Sequence, residues 1–186
     1  MEMSGLDERT CVILEIAALI TDAALNEVGD GFHAVIHQPE AALAAMDDWC
    51  TAHHTKSGLT AAVQASALWQ TEAEERFLAF LAEHTQPGTS PLCGNSVHAD
   101  RRFLARHMPR IDAYLHYRII DVSTLKELAK RWYPAVPHFQ KGDGHRALDD
   151  IRASIAELRY YREKVFRAGE PSGSTEGVKL AGGTSG

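Results

Sequence analysis

The alternation of apolar and polar residues predicts strands and helices in turn along the chain. Residues 11–20 form an apolar run rich in β-branched side chains, which is typical of a largely buried strand. Asn26 and Gly29 are turn residues, and residues 32–37 predict the next strand after them. The beginning of the chain therefore favours antiparallel hairpins.

Helical patterns follow the hairpins. Residues 40–48 are rich in Ala and predict a helix that ends at Trp49, and residues 57–65 predict a second short helix. Residues 91–95 and 117–121 are short apolar runs, which are typical of strands. Strands that alternate with helices in this way predict an α/β domain with a mixed sheet.

Two further helices are introduced by a capping box, in which a hydroxyl residue stands three positions before an acidic one. Thr71 and Glu74 form the first box, and Thr124 and Glu127 form the second. The predicted buried faces are Ala73, Phe77 and Leu81 in the first helix and Leu125, Leu128, Ala129 and Trp132 in the second.

The last predicted helix spans residues 145–166. On a helix, positions five apart point about 140° away from each other. His145 can therefore share a site with Asp150 only from a loop, which the glycines of residues 142–144 supply. A mobile histidine beside a fixed carboxylate suits a general base next to a metal-bound phosphate. The alternative is that Asp149 and Asp150 only favour the helix N-terminus electrostatically and that His145 is a surface residue.

Carboxylates recur where predicted elements begin or end. Glu2 follows a strand, Asp100 opens a helix that Pro109 stops or kinks, and Asp150 lies near the start of the last helix. Hard oxygen ligands suit Mg²⁺ or Mn²⁺, and two ions about 3.5–4 Å apart can stabilise both oxygens of a phosphoryl displacement. Periodicity alone does not separate Asp149 from Asp150 as the third ligand.

Composition and charge narrow the class of protein. The chain has 186 residues, of which 45% are hydrophobic and 24% are charged, and these values fit one soluble domain. A net charge of -6 argues against a protein that grips long nucleic acid through many phosphate contacts, but it allows a small metal-assisted phosphate site. Three scattered cysteines favour a reducing cytoplasm, and no apolar run has the length of a membrane span.

Several motifs occur in an order that is highly specific when they are taken together. They resemble the oligoribonuclease family, 3′-to-5′ exonucleases with four acidic residues and a histidine on the ribonuclease-H-like fold. The motifs that carry the resemblance are residues 2–7, 46–49, 54–59, 93–96 with 100–104, 116–118 with 121–128, and 145–152. The resemblance implies an exonuclease domain over residues 1–168, followed by a tail of residues 169–186 whose Gly, Ser and Thr content predicts disorder.

The resemblance also implies roles for individual residues. Glu2, Asp100 and Asp150 would hold two divalent ions, Mg²⁺ or Mn²⁺, and His145 would be the general base. The substrates would be dinucleotides and very short RNA, cleaved to 5′-mononucleotides in a homodimer. Residues implied in substrate binding are Leu6 and Trp49 against the bases, Ser96, His54, Arg118, Ser123 and Thr124 around the 5′ phosphate, and Tyr117 from the other subunit.

Other interpretations of these residues stay open. Trp49 can be a core or dimer-interface residue, Leu6 can serve simple packing, and Ser123 and Thr124 are good helix caps in their own right. A proofreading-type DNA exonuclease is a competing function, although the short acidic chain and the phosphate-capping residues argue against it.

The chain departs from the family pattern at its beginning. The family has Asp-Xaa-Glu at the end of its first strand, whereas here the aspartate would precede Met1 and most of the strand is absent. We expect a first strand that is truncated, either by a late start or by a shortened sequence. The alternative function is a catalytically impaired homodimer that binds nucleotides without cleaving them.

Overall fold

Strands and helices alternate along the chain, which confirms the predicted α/β class. The computed structural model describes residues 1–140 and 147–166. The strands are β1 (Glu2–Met3), β2 (Ile13–Thr21), β3 (Glu27–Val35), β4 (Pro91–Gly94) and β5 (His116–Asp121). The helices are α1 (Glu40–Ala44), α2 (Asp48–Lys56), α3 (Leu59–Ala65), α4 (Gln70–His84), α5 (His98–His107), α6 (Pro109–Tyr114), α7 (Val122–Trp132) and α8 (Ala147–Lys164). None of these helices is long and apolar enough to cross a membrane.

Antiparallel and parallel pairing both occur, but they lie in two separate sheets. β1, β2 and β3 form an antiparallel sheet in that order, and β4 pairs with β5 in parallel. β1 contributes only two residues, which pair with β2, and in the described residues no ladder joins β1 to β4. Among the described elements, α8 contacts both sheets, through β2 of the antiparallel one and β4 of the parallel one.

The continuous apolar run of β2 arises because both faces of the strand are covered. Successive side chains of a strand point to opposite faces of the sheet. Ile13 packs into the main core with Phe77 and Phe103, whereas Leu14 packs into a second cluster with Val63 on the other side. Within β2, Ile13, Leu14 and Ile16 are at most 2% exposed and the other residues are of intermediate burial, so the predicted buried strand is fully buried only near its beginning.

The third strand begins earlier than predicted, at Glu27 instead of residue 32. Gly29 and Gly31 lie inside it with φ of 71° and 40°, and the pairing of β2 with β3 shifts its register between Ala18 and Ile20. Glycines inside a strand often mark such an irregularity, so Gly29, which the sequence predicts in a turn, belongs to the strand instead.

The helix predicted over residues 40–48 is two helices. α1 ends at Ala44, and α2 begins at Asp48, so Trp49 lies in the first turn of a helix instead of ending one. The Asp47 carboxylate accepts a hydrogen bond from the Cys50 backbone N–H at 2.7 Å and thus caps α2. The pattern of apolar residues alone does not separate consecutive helices, so this Ala-rich stretch predicts one helix where the structure has two.

Neither predicted capping box forms. α4 begins at Gln70, with Trp69 in the cap position and no side-chain cap, so Thr71 lies within the first turn. Glu74 is 7% exposed and accepts hydrogen bonds from the backbone N–H groups of Arg110 and Ile111 instead. Glu74 therefore caps α6, a helix more than thirty residues away in sequence.

The start and the end of α7 also correct the sequence prediction. The Asp121 carboxylate accepts from the Ser123 N–H at 2.9 Å, so Asp121 is the cap and neither Ser123 nor Thr124 is. Glu127 pairs with Arg131 one turn later. Trp132 is 66% exposed, so its prediction as a buried residue was wrong.

Candidate active site

Glu2 lies on β1 directly opposite Glu15 of β2, and its side chain is half-buried. Burial is the main cause that raises the pKa of the Glu2 carboxyl above its ordinary value, and the Glu15 carboxylate raises that pKa further. The N-terminal ammonium group of Met1, His54 and His53 lower this pKa but do not offset the burial. An anion in this place is therefore poorly compensated by the described residues.

Asp100 approaches the same end of the molecule from α5. It lies in the first turn of that helix, and its Oδ1 is 3.4 Å from the backbone nitrogen of Met1, the residue before Glu2. Met1, directly before β1, thus contacts the first turn of α5. Asp100, one of the three predicted carboxylate ligands, therefore lies beside the residue that precedes Glu2, another of the three.

The third predicted ligand is less closely placed. Asp150 is exposed in the first turn of α8, and its neighbour Asp149 lies 3.9 Å from Arg152. In the described part of the chain, Glu2, Asp100 and Asp150 do not form a group with ligand atoms within 4.8 Å of one another. The three-carboxylate site stays a prediction, and His145 lies outside the described residues.

The donor set nevertheless fits divalent cations. The predicted ligands are all carboxylates, which are the hard oxygen donors that Mg²⁺ and Mn²⁺ prefer. A cation beside Glu2 would stabilise the charge that burial disfavours there, because an opposite charge lowers the pKa of a carboxyl group.

Two apolar side chains predicted to contact bases are exposed. Leu6 is 74% exposed and Trp49 is 68% exposed, so Trp49 is not a core residue and Leu6 does not pack in the interior. The Trp49 ring stacks on His53 with centroids 4.8 Å apart and planes 6° apart. Leu6 lines a cleft of about 430 Å³ together with Arg9 and Arg102.

A second cavity, of about 410 Å³, lies at the carboxyl ends of β4 and β5. It brings together Ser96, Ser123 and Thr124, three of the residues implied in binding a 5′ phosphate. The Ser96 N–H donates to the Asp121 carboxylate at 2.9 Å and to the Ser123 hydroxyl at 3.0 Å, and Ser96 holds a positive φ of 52°. The carboxyl ends of parallel strands thus converge on a cluster of hydroxyl groups.

The other implied phosphate-binding residues do not line this cavity. His54 is 2% exposed, and its Nε2 donates to the Met3 carbonyl at 3.0 Å, which places it with Glu2 instead. Arg118 lies over the Tyr117 ring at 5.1 Å, and Tyr117 is 72% exposed on β5. Within this single chain, the residues implied in phosphate binding therefore do not lie at one site. Ser96, Ser123 and Thr124 line the cavity, whereas His54 and Arg118 lie outside it.

Sequence reasoning assigned no role to two residues that the structure places at these sites. A ring nitrogen of His53 lies within 4.8 Å of the Glu2 carboxylate, and Asp121 orients Ser96 and Ser123. The position of Asp121 before a helix was a readable capping signal. His53 gave no such signal, because its proximity to Glu2 depends on how α2 packs against β1.

Comparison with known proteins identifies the class and then the family. A family model described as Exonuclease (RNase T) matches residues 1–158. The chain is thus a nuclease, a hydrolase that acts on phosphodiester bonds. It is 54% identical to the oligoribonuclease of Vibrio cholerae over 168 residues, which cover 90% of this chain and 93% of that protein.

Two further relatives of similar identity are also oligoribonucleases. The identity is 54% over 167 residues with the oligoribonuclease of Aliivibrio fischeri, covering 89% of this chain and 92% of the relative. It is 52% over 169 residues with the mitochondrial oligoribonuclease of Mus musculus, covering 90% of this chain and 71% of the relative. The chain belongs to the oligoribonuclease family. The resemblance inferred from the motifs is confirmed, and exonucleases of this family use divalent metal ions.

Proposed function

We propose that the protein is a 3′-to-5′ exoribonuclease that hydrolyses dinucleotides and very short oligoribonucleotides to 5′-mononucleotides. The observation that carries the proposal is the exposed Trp49 ring, which stacks on His53 beside the Glu2 carboxylate. A terminal base can stack on Trp49 while its phosphodiester reaches the carboxylate. Stacking of this kind is worth about 1–3 kcal/mol per base and tolerates every base.

The proposed chemistry uses two divalent ions, Mg²⁺ or Mn²⁺, held by Glu2, Asp100 and Asp150. When bound, such ions stabilise the attacking and the leaving oxygen of the displacement. His145 is proposed to take the proton of the attacking water, a role that rests on the family. Asp150 lies in the first turn of α8, so this helix anchors the carboxylate.

The proposed limit on substrate length comes from the cavity that Ser96, Ser123 and Thr124 line. Their hydroxyl groups are hydrogen-bond donors that a 5′ phosphate requires. The Arg118 guanidinium, which does not line this cavity in the single chain, is a further proposed donor to the same phosphate. A phosphate bound there closes one end of the site, so only very short oligomers fit between it and the metals. The net charge of -6 is compatible with such a substrate, because a dinucleotide offers few phosphates.

We further propose a homodimer in which Tyr117 reaches the site of the other subunit. β5 pairs only with β4 among the described strands, and Tyr117, Ile119 and Ile120 are exposed on it. Such an edge favours association. The three cysteines are free thiols, which supports action in a reducing compartment such as the cytoplasm.

The test is hydrolysis of a 5′-phosphorylated dinucleotide by the full chain with Mg²⁺ or Mn²⁺. Trp49→Ala should raise KM by about 5–150-fold, the equivalent of about 1–3 kcal/mol of stacking. Trp69→Ala is the matched control, because Trp69 is a similarly exposed tryptophan whose ring contacts His37 instead. A Trp49→Ala enzyme with the KM of the wild type would contradict the proposed base platform.

The same assay separates the hydrolase from the binding-only alternative. His145→Ala should abolish most of the hydrolysis and leave the free energy of unfolding nearly unchanged, since it removes only the proposed base. Tight binding of the dinucleotide by the wild type without turnover, with either metal, would favour the catalytically impaired homodimer.

A further inference from the structure

Three side chains beside the proposed hydrolytic centre have a ligand chemistry of their own. One carboxylate oxygen of Glu2 and one ring nitrogen from each of His53 and His54 lie within 4.8 Å of one another. The proposed two-metal centre uses only carboxylates, whereas this group offers two imidazoles and one carboxylate. Imidazole nitrogen favours Zn²⁺ and similar transition metals over Mg²⁺.

His54 has the hydrogen-bonding arrangement of a metal ligand. A carbonyl oxygen can only accept, so the contact of Nε2 with the Met3 carbonyl at 3.0 Å requires the proton on Nε2. Nδ1 therefore keeps its lone pair, and it is buried without a hydrogen-bond partner among the described residues. Histidines that bind metals usually donate their other N–H to a carboxylate or a backbone carbonyl in this way.

His53 and Glu2 complete the group from two different elements. His53 is exposed on α2, next to His54, and Glu2 is half-buried on β1. Ligand nitrogens lie about 2.0–2.1 Å from Zn²⁺, so the ligand atoms of a tetrahedral site are about 3.3–3.4 Å apart. The exposed His53 ring can make the small movement that this distance requires.

We propose that Glu2, His53 and His54 bind a transition-metal dication of the Zn²⁺ type, and that this ion inhibits hydrolysis by engaging Glu2. The site has three protein ligands and an open fourth position, as non-structural Zn²⁺ sites do. The inhibitory part rests on the proposed function, because Glu2 is shared with the Mg²⁺ or Mn²⁺ centre. The binding part does not depend on hydrolysis.

Cobalt tests the ligand chemistry directly. Co²⁺ held by imidazoles in a four-coordinate site absorbs strongly in the visible range, whereas Co²⁺ held by carboxylates and water is six-coordinate and absorbs weakly. We expect the full chain, with Mg²⁺ present, to give the strong band with one equivalent of Co²⁺ and to lose it when Zn²⁺ is added. A weak six-coordinate spectrum alone would overturn the proposal.

His53→Phe is the informative variant, because it keeps a ring beside Trp49 and removes both ring nitrogens. It should lose the strong band and bind Zn²⁺ more weakly by at least about tenfold. His138→Phe replaces an exposed histidine outside the group and should keep both properties. A His53→Phe protein with the wild-type spectrum would overturn the proposal even if a variant of the buried His54 failed to fold.

Hydrolysis by the same proteins distinguishes the two proposals. Zn²⁺ at one equivalent should slow Mg²⁺-dependent cleavage of the dinucleotide by the wild type and should have less effect on His53→Phe. Cleavage of the dinucleotide without the strong Co²⁺ band would contradict the transition-metal site and would still support the exoribonuclease. The strong Co²⁺ band without any cleavage of the dinucleotide would contradict the exoribonuclease and would still support the transition-metal site.

Discussion

At the scale of single residues, two buried carboxylates, Glu74 and Glu157, differ in their surroundings from the half-buried carboxylate of Glu2. Glu74 and Glu157 are buried among hydrogen-bond donors, such as the backbone of Ile111 and the Asn95 amide. Glu2 instead faces Glu15, and burial raises its pKa. A carboxyl group whose pKa is raised by burial and by a second carboxylate is a typical feature of a functional site.

This difference predicts how Glu2 affects stability. Because the pKa of Glu2 is raised in the folded protein, its ionisation favours the unfolded chain. Without metal, Glu2→Gln should therefore raise the free energy of unfolding near neutral pH. The gain should shrink as the pH falls through the raised value toward the ordinary 4.5, where wild-type Glu2 is protonated in both states.

Urea unfolding in the presence of a chelator, near pH 4 and near pH 7, measures this gain. Glu83→Gln removes an exposed carboxylate of α4 and is the control. A gain that is the same at both pH values would contradict the electrostatic cause. The variant should also lose metal-dependent hydrolysis, since it removes a proposed ligand.

At the scale of elements, helix ends are capped by side chains that the local sequence does not always reveal. Asp47 and Asp121 cap the helices that follow them, as sequence rules anticipate. Glu74 caps α6 from the middle of α4. This contact joins two helices that pack on the same side of the antiparallel sheet.

The cap predicts a large cost when Glu74 is replaced. Glu74→Ala removes the acceptor of the Arg110 N–H at 2.8 Å, whereas the Ile111 N–H keeps the Met108 carbonyl at 3.1 Å. The free energy of unfolding should therefore fall by about 1–3 kcal/mol. Glu72→Ala removes an exposed partner of Arg76 and should cost only about 0.3–0.5 kcal/mol. If urea unfolding gave the same loss of unfolding free energy for both variants, the contact of Glu74 with α6 would stabilise the protein no more than an exposed ion pair does.

At the scale of the whole molecule, α8 connects the parallel sheet with the antiparallel one. Glu157 is fully buried, with Asn95 Nδ2 at 3.0 Å and Lys126 Nζ at 3.8 Å, and it faces the cavity end of β4. On the other side, Arg152 pairs with Glu27 of β3. The helix that carries Asp150 is thereby fixed to both sheets.

This connection predicts a coupled effect on stability and substrate binding. Glu157→Ala should lower the free energy of unfolding by about 1–3 kcal/mol, because it removes the buried carboxylate that accepts from Asn95 Nδ2 at 3.0 Å and lies 3.8 Å from Lys126 Nζ. Asn95 also reaches the Ser123 hydroxyl at 3.5 Å, so KM for a 5′-phosphorylated dinucleotide should rise more than kcat falls.

Urea unfolding and steady-state kinetics measure the two effects. Glu163→Ala, an exposed change on the same helix, is the control and should alter neither. A loss of kcat at unchanged KM would contradict a link from Glu157 to the phosphate cavity.

The sequence by itself determined the fold class, the family and most elements. Apolar periodicity depends only on residues within a few positions of each other, so β2, α4, α5 and α8 were predicted close to their observed bounds. The ordered motifs identified the family, because chemistry fixes those residue types at those positions. They also named Leu6 and Trp49, whose exposure rules out the core alternative.

The tertiary structure decided what depends on contacts between distant residues. It separated α1 from α2, replaced both capping boxes, exposed Trp132 and brought His53 beside Glu2. A residue such as Glu74 has the same local pattern whether it caps its own helix or another one. Burial and partners select between these outcomes, and they arise only when elements far apart in the chain pack together.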